Sequence, residues 1–268
     1  MSASSKELCV LSTVYPSCIQ YLDNFFDCLR GQSVTNFTLL LMTDQINVSM
    51  LPDETPFEFM HFSADGTPAN IRKLGLLKAR ELGFKKLVFA DFDDFHYPER
   101  IEKCSKELER CEIFVHDLDV VTEEGISQGP CFARRYSKDQ LIDFNAIKHG
   151  NIFGLSNTAI QTRILDNVQY YSAVIAFDWF LFSQLLYSGF AAKYSPLSLA
   201  GYRQHAKNLL GSPLNNVLPN DADKKIKMVH FNYMYKVTGD RFFLKEKNRI
   251  KMNVDKNKES FPVWLENV

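Results

Sequence analysis

The stretch Lys86-Leu-Val-Phe-Ala-Asp91-Phe-Asp93-Asp94-Phe-His-Tyr-Pro98-Glu-Arg100 decides how the rest of the chain is interpreted. Its apolar run, residues 87–90, predicts a short buried strand, and three carboxylates follow where that strand should end. Pro98 then sets φ for the first turn of a new helix. We therefore expect the acidic cluster at the carboxyl end of an inner strand, where open α/β sheets bind ligands.

The acidic cluster Asp91, Asp93 and Asp94 allows two interpretations. Crowded negative charges repel one another, and a hard cation such as Mg²⁺ or Mn²⁺ would relieve that repulsion. The alternative is a solvated acidic loop in which Asp94 caps the next helix. Because Asp-x-Asp is short and matches by chance, the cluster alone leaves both interpretations open.

Composition narrows the class of protein. The chain has 268 residues, of which 46% are hydrophobic and 24% charged, as in an ordinary soluble globular protein. A net charge of −1 gives no electrostatic footprint for nucleic acid. The six cysteines form no Cys-x-x-Cys pair, which favours reduced thiols in a cytosolic protein without structural zinc. We expect neither a signal peptide nor a membrane span, because no apolar run reaches about 20 residues.

Strand and helix patterns alternate over the first 118 residues, which predicts an α/β domain with a mostly parallel sheet. The apolar runs place strands at residues 8–14, 37–42, 57–62, 87–90 and 111–116, with helices between most of them. Later in the chain, residues 117–129 and 196–208 read as loops, and residues 152–157 as a strand turning into a helix. Gly66-Thr67-Pro68 predicts a cap followed by proline at the start of a helix that runs to about Leu82, and helices are also predicted from Asp178 to Gly189 and from residue 220 to Gly239.

Five sequence marks stand in one order along the chain. They are Thr13-Val-Tyr15-Pro16 after the first strand, Asp44 after the second, Asp91-x-Asp93-Asp94, Asp178 at a helix start, and Tyr202-Arg203-x-His205. Together they resemble the GT-A-fold glycosyltransferases of family 2. The family pattern is Leu-Asp-x-Asp-Asp with Pro-Glu three residues later, and residues 90–99 match it apart from Ala90. The resemblance covers residues 8–210.

The resemblance implies a GT-A (Rossmann-like), mostly parallel sheet flanked by helices in a single domain. Residues 1–215 would form the catalytic domain, and residues 216–268 a C-terminal helical extension packed on it. It also implies an inverting, metal-dependent hexosyltransferase that moves one sugar from a UDP or dTDP donor to a saccharide or lipid-linked saccharide acceptor. Bacterial surface polysaccharide assembly, in the cytoplasm or at the inner face of the membrane, is the family's commonest setting.

The resemblance assigns roles to residues that match its motifs. Asp93 and His205 would hold Mn²⁺ or Mg²⁺, and Asp178 would be the general base, although Phe177 stands where the family often has Glu. Trp179 would form a wall under the acceptor sugar. The residues expected to contact the nucleotide sugar are Thr13, Tyr15, Asp44, Arg72, Asp91, Asp94 and Arg203.

Each assignment has a plainer alternative. Asp178 could simply cap a helix, Asp44 could form a turn, and Trp179 could belong to the core. Arg203 and His205 could form a surface ion-pairing loop, and residues 224–227 a solvated basic face or a contact with an anionic membrane.

Two other functions compete with the transferase. A sugar nucleotidyltransferase is the first, but its usual Gly-rich first loop is not present in residues 12–16. A non-catalytic nucleotide- or sugar-binding relative is the second, because Phe177 replaces the usual Glu.

Overall fold

A computed structural model describes residues 6–132, 135–204 and 221–254, and all structural statements below concern these ranges. The strands are β1 (Leu8–Val14), β2 (Thr38–Thr43), β3 (Glu58–Ser63), β4 (Lys86–Phe89), β5 (Phe95–His96), β6 (Ile113–Val121), β7 (Ser127–Pro130), β8 (Leu141–Ile142), β9 (Thr158–Gln161) and β10 (Ala192–Arg203). The α-helices are α1 (Leu22–Arg30), α2 (Pro68–Glu81), α3 (Arg100–Glu107), α4 (Phe144–Ile147), α5 (Phe177–Tyr187), α6 (Asp221–Thr238) and α7 (Arg241–Val254).

All of these strands join one sheet, in the order β3-β2-β1-β4-β9-β6-β10-β5, with β7 on β6 and β8 on β10. Strands β1 to β4 form parallel ladders, and β6 and β10 form another. Strand β9 lies antiparallel between β4 and β6, so β6 and β10 point in the same direction as β1 to β4. The predicted α/β architecture with a mostly parallel sheet is confirmed.

Apolar layers cover both faces of the sheet. Cys9 and Leu11 of β1 pack into a layer that includes apolar residues of α2, α5 and α6. Val10, between them, packs into a second layer with residues of α1 and α3. Successive strand residues point to opposite faces, so a strand covered on both faces must be apolar throughout. This explains why β1 begins with an uninterrupted apolar run, residues 8–11, that is recognisable from sequence.

The predicted loop over residues 117–129 is wrong, because β6 continues to Val121 and β7 follows it. The strand tolerates Asp117, which is 0% exposed, because its carboxylate is fully used. One oxygen accepts the backbone N–H groups of Leu118 and Phe132, and the other accepts the hydroxyl of Tyr194. A buried carboxylate that accepts several hydrogen bonds can replace an apolar residue in a strand.

Two further predictions after residue 150 are also corrected. The segment 196–208 is not a loop over its described part, because β10 crosses Pro196 with register shifts and pairs with β6 as far as Arg203. No helix begins at Ser156 or Asn157. The Asn157 amide instead closes a tight turn into β9, accepting from the Gly154 N–H and donating to the His116 carbonyl.

The predicted cap of α2 is confirmed and connects two parts of the chain. The Thr67 side chain accepts the Asn70 N–H, and Pro68 occupies the first helical turn. The same hydroxyl donates to the backbone carbonyl of Ser172, 2.9 Å away. The start of α2 is thus fixed to the segment that leads into α5.

All six cysteines lie in the described ranges, and each is a free thiol. In these ranges no helix has both the length and the hydropathy that a bilayer crossing requires.

Gly75 sets how closely α2 approaches the sheet. A Cβ added there would lie 2.7 Å from Leu11 Cδ1 and 3.0 Å from Met42 Cγ. We expect Gly75→Ala to lower the free energy of unfolding by about 1 to 2 kcal/mol, because overpacking outweighs the better helix propensity of Ala. Urea unfolding would measure this change in the free energy of unfolding. Leu77→Ala, at an exposed position of the same helix, is the control. A Gly75→Ala variant that is more stable than the wild type would show that helix propensity outweighs overpacking against Leu11 and Met42.

Candidate functional site

The acidic loop between β4 and β5 is fixed to the end of β10 by Asp94. This side chain is 3% exposed, and its Oδ1 accepts the backbone N–H of Arg203 at 2.8 Å. Burial raises the pKa of Asp94 well above its usual range, and the charges of Asp93 and Asp91 add to the shift. With almost no exposed surface, Asp94 supports the loop from inside, which corrects its predicted contact with a sugar. The cap of α3 is Glu99, not Asp94.

The side chain of Arg203 holds the acidic loop against its neighbours. Its Nε donates to the backbone carbonyl of Asp93 at 2.6 Å, and Nη2 donates to Asn24 Oδ1 at 2.6 Å. Its Nη1 donates to the backbone carbonyl of Glu123. One guanidinium therefore joins the acidic loop, helix α1 and the β6–β7 turn.

Two aromatic rings complete the pocket of Arg203. Its guanidinium carbon lies 3.9 Å from the ring centroid of Phe95 and 4.6 Å from that of Tyr21, and the residue is 5% exposed. The predicted contact of Arg203 with a pyrophosphate is therefore corrected, because its guanidinium is directed into the protein. His205, predicted to be a metal ligand, lies outside the described residues.

Arg72, on α2, faces the other side of the acidic loop. Its Nη2 lies 3.4 Å from Asp91 Oδ1. Its Nε is buried and meets no hydrogen-bond acceptor within the described ranges. Although burial opposes it, the charges of Asp91, Tyr15, Asp178 and Asp93 raise the pKa of Arg72. The guanidinium thus stays charged beside three carboxylates and keeps one donor unmatched.

Asp91 faces Arg72 with 28% of its side chain accessible. Burial raises its pKa to about 6, Arg72 opposes that rise, and Asp93 and Asp178 add to it. The backbone N–H of Asp91 donates to the Ser156 hydroxyl at 3.2 Å, which fixes the loop where it leaves β4.

The ends of β1 and β2 lie beside this loop, as predicted. A narrow crevice is lined by Ser12 and Thr13 of β1 together with Arg72 and Asp91. The Asp44 N–H donates to the Val14 carbonyl at 3.0 Å, so the residue after β2 is held at the end of β1.

Polar atoms without partners cluster at this edge of the sheet. They include Ser12 Oγ, Asp44 Oδ1 and Arg72 Nε, each buried without a hydrogen-bond partner in the described part of the chain. Buried polar groups are normally paired, so the unpaired atoms of Ser12 and Arg72, which line the crevice, make it a candidate site for a polar ligand.

Asp178 lies in the first turn of α5, where Ala176, not Asp178, occupies the cap position. One carboxylate oxygen accepts the Trp179 N–H at 2.8 Å, and the other accepts Nδ2 of Asn151 at 3.2 Å. Burial raises the pKa of Asp178, whereas Arg72 and these hydrogen bonds lower it. A carboxyl with a raised pKa is better suited to take up a proton near neutral pH.

Trp179 is not a substrate wall. Its side chain is 0% exposed, its Nε1 donates to the Ile147 carbonyl at 3.0 Å, and its ring stacks on His230 with centroids 3.6 Å apart. The side chain points into the core between α5 and α6, so the plainer alternative for Trp179 is correct. Phe177, which replaces the family's usual Glu, is also buried at 3% exposure.

Two supporting residues were missed from sequence. Asn151 fixes the Asp178 carboxylate and carried no signal beyond a turn-like context. Arg100, 1% exposed, donates to the Phe89 carbonyl and to His116 Nε2, which places a buried cation beneath the acidic loop. Arg100 lies in the helix that the sequence predicts from Pro98, and its sequence context gives it no separate role.

In the described ranges, no group of three or more His, Cys, Asp or Glu side chains converges as a complete metal site. The residues present nevertheless fit a hard cation that is bound together with a diphosphate. Mg²⁺-type ions commonly take one or two carboxylates and complete their coordination with substrate phosphates and water. Asp91 and Asp93 are the half-buried carboxylates at this edge that could supply those ligands.

No family model and no curated protein matches this chain. Several solved structures do. Residues 1–349 of TarS from S. aureus, in complex with UDP-GlcNAc, are 14% identical with a TM-score of 0.61, over 94% of this chain and 74% of that TarS chain. The mannosyltransferase PcManGT from Pyrobaculum calidifontis, with GDP-Man and Mn²⁺, is 10% identical with a TM-score of 0.58, over 92% and 69%. GalNAc-T7 with UDP, GalNAc and Mn²⁺ is 14% identical with a TM-score of 0.53, over 97% and 56%.

These neighbours are GT-A-type glycosyltransferases. At such low identity the similarity shows the fold alone, and it agrees with the strand order and helix placement described above. The chain therefore has the GT-A fold, as the sequence resemblance implied.

The anchoring role of Arg203 predicts a large effect on stability. Arg203→Met keeps the apolar stem but leaves buried carbonyls and Asn24 without their donor, and should cost about 2 to 3 kcal/mol of unfolding free energy. Arg163→Met, which removes an exposed ion pair with Glu112, should change it by less than about 0.5 kcal/mol. Chemical denaturation compares the two. Equal, small losses would mean that the Arg203 guanidinium does not hold the loop.

Proposed function

We propose that this chain is an inverting, metal-dependent glycosyltransferase of family 2 type, which moves one sugar from a nucleotide-sugar donor to a saccharide or lipid-linked saccharide acceptor. The observation that carries the proposal is the position of Arg72, whose Nη2 lies 3.4 Å from Asp91 Oδ1 and whose pKa is raised by the charges of Asp91, Asp178 and Asp93. A carboxylate pair for a metal-bound diphosphate and a separate carboxylate for an acceptor thus face the same cation. Residues 1–215 would form the catalytic domain, and residues 216–268 its helical extension.

The charge of the leaving group determines which residues would bind the donor. A leaving nucleoside diphosphate gains negative charge, which cationic groups must stabilise. Arg72, with an unmatched Nε, would contribute from the protein, and a divalent ion held by Asp93 and Asp91 would neutralise the phosphates when bound. His205 remains a predicted ligand of that ion. The nucleotide sugars and Mn²⁺ in the neighbouring structures support this assignment.

The nucleoside would lie along the ends of β1 and β2. Thr13 lines the crevice beside Asp91, and Tyr15 is close enough for the charges of Arg72 and Asp91 to act on its pKa. Asp44 Oδ1 is buried without a partner in the described residues and would accept a hydrogen bond from the base or the ribose. UDP or dTDP is the proposed nucleotide type.

On the acceptor side, Asp178 would remove the proton from the attacking hydroxyl. In an inverting displacement the base stands on the face opposite the leaving group. Asn151 donates to one Asp178 oxygen and therefore sets the orientation of the carboxylate. The raised pKa of Asp178 strengthens it as a base without requiring the Glu that Phe177 replaces.

Ligand binding tests the donor site directly. A thermal-shift panel of UDP, dTDP, GDP and CMP, each with and without Mn²⁺, should show a rise in Tm for one nucleotide that needs the metal, because a ligand that binds only the native state stabilises it. Asp93→Ala should abolish this shift, whereas Asp53→Ala, in an exposed loop, should leave it unchanged.

The same panel has an expected pH dependence. The pKa of Asp91 is raised to about 6, so this carboxyl is increasingly protonated below that pH. Protonation then competes with metal binding at the same carboxylate. The metal-dependent shift should grow between pH 5 and pH 7. The absence of a Tm shift with every nucleotide would contradict the proposed donor site.

Asn151 makes a prediction about the base. Removing its hydrogen bond to the ionised Asp178 should raise the pKa of that carboxyl further. In Asn151→Ala the acid limb of the kcat/KM profile should therefore move to higher pH by about 0.5 to 1 unit, the equivalent of one hydrogen bond. Asn145→Ala, on the exposed face of α4, should leave the limb in place. Reduced activity with an unshifted limb would mean that Asn151 serves folding alone.

A further inference from the structure

A second concave site lies beside helices α6 and α7. Its cavity of about 600 Å³ is large enough for a small ligand. The wall combines three cations with apolar and aromatic surface, from Lys224, Lys225, Lys247, Met228, Val229 and Tyr233. Nothing in the donor site or in the proposed base uses these residues.

The charge of this cavity is one-sided. No Asp or Glu belongs to its wall within the described residues. Lys225 is exposed, and Lys247 donates to Asn232 at 2.8 Å, which uses one of the three donors of an ammonium group. Three ammonium groups around one concave surface concentrate a positive potential, which attracts a multiply charged anion.

The cavity adjoins the segment that carries the proposed base. Ala173 forms part of its wall, five positions before Asp178. The ring of Tyr171 lies 4.6 Å, centroid to centroid, from that of Tyr233 on α6. Ser172 accepts the Thr67 hydroxyl at the start of α2, the helix that carries Arg72. One short segment therefore links the cavity to both sides of the proposed site.

We propose that this cavity binds a phosphate group carried by the acceptor while a hydroxyl of the acceptor meets Asp178. The inference rests on the proposed transferase function and specifies its acceptor class. A phosphate-bearing acceptor would be repelled by Asp91, Asp93 and Asp178, so its charge must be matched elsewhere. Lysine ammonium groups bind phosphate as point charges, and the apolar part of the wall would contact the uncharged portion of the acceptor.

The test uses inorganic pyrophosphate, titrated calorimetrically without divalent ions into the full chain. The triple variant Lys224→Gln, Lys225→Gln, Lys247→Gln should bind it at least about tenfold more weakly, since each exposed charge pair contributes modestly. The matched control, Lys236→Gln with Lys245→Gln and Lys251→Gln, removes the same charge from exposed positions of the same two helices and should bind as the wild type does. Lys225→Gln alone, at an exposed position, should weaken binding measurably if the triple variant fails to fold.

Two further arms separate the alternatives. Arg72→Gln should retain pyrophosphate binding, and loss of binding there would place the anion in the donor crevice and overturn the proposal. Sedimentation with phosphatidylglycerol vesicles tests a membrane contact. Vesicle binding that the triple variant loses, with no pyrophosphate binding by the wild type, would also overturn it. Equal losses of pyrophosphate affinity in the triple variant and in its control would also overturn the proposal. The nucleotide thermal shift is a separate readout, so failure here leaves the donor site intact.

Discussion

The hydrogen bond from the Arg203 backbone N–H to the buried Asp94 carboxylate is the constraint on which the site depends. It joins the loop after β4 to the end of β10, strands that are far apart in sequence and separated in the sheet by β9 and β6. The Arg203 guanidinium reinforces it through the Asp93 carbonyl, so backbone and side chain of one residue close the loop. With Asp94 directed inward, Asp91 and Asp93 remain half-buried at the sheet edge, where a ligand can meet them.

Crowding three carboxylates at the end of a buried strand is unfavourable unless cations lie nearby. Arg100 supplies one from beneath, bonded to the Phe89 carbonyl at the point where β4 ends. Arg72 supplies another from α2, and its charge also reaches Asp178. The pKa of Asp91 nevertheless stays raised, chiefly by burial and further by the charges of Asp93 and Asp178, which Arg72 does not fully offset. A cation that binds together with a diphosphate would offset the remaining repulsion between these carboxylates. The proposed donor would therefore help to stabilise the site to which it binds.

Sequence predicted those parts of the fold whose signals are local. The apolar run of β1, the Thr67-Pro68 start of α2 and the placement of the acidic loop all depend on neighbouring residues. Predictions failed where a distant partner decides the outcome. Strand β6 extends through Asp117 only because Tyr194 and Phe132 supply donors, and Trp179 is buried only because α6 packs over it. The same holds for the site, since the guanidinium of Arg203 is engaged by groups from three separate segments that no spacing in the sequence announces.

Turnover of nucleotide sugars tests the central claim most directly. Release of nucleoside diphosphate from a panel of UDP-, dTDP- and GDP-sugars with Mn²⁺ would be followed for the wild type and for Asp178→Asn. We expect the wild type to turn over one donor, and Asp178→Asn to bind that donor but to lose most of the turnover. Unchanged turnover in Asp178→Asn would remove the base assignment. Donor binding without any turnover in the wild type would contradict the transferase itself and favour a non-catalytic nucleotide- or sugar-binding protein.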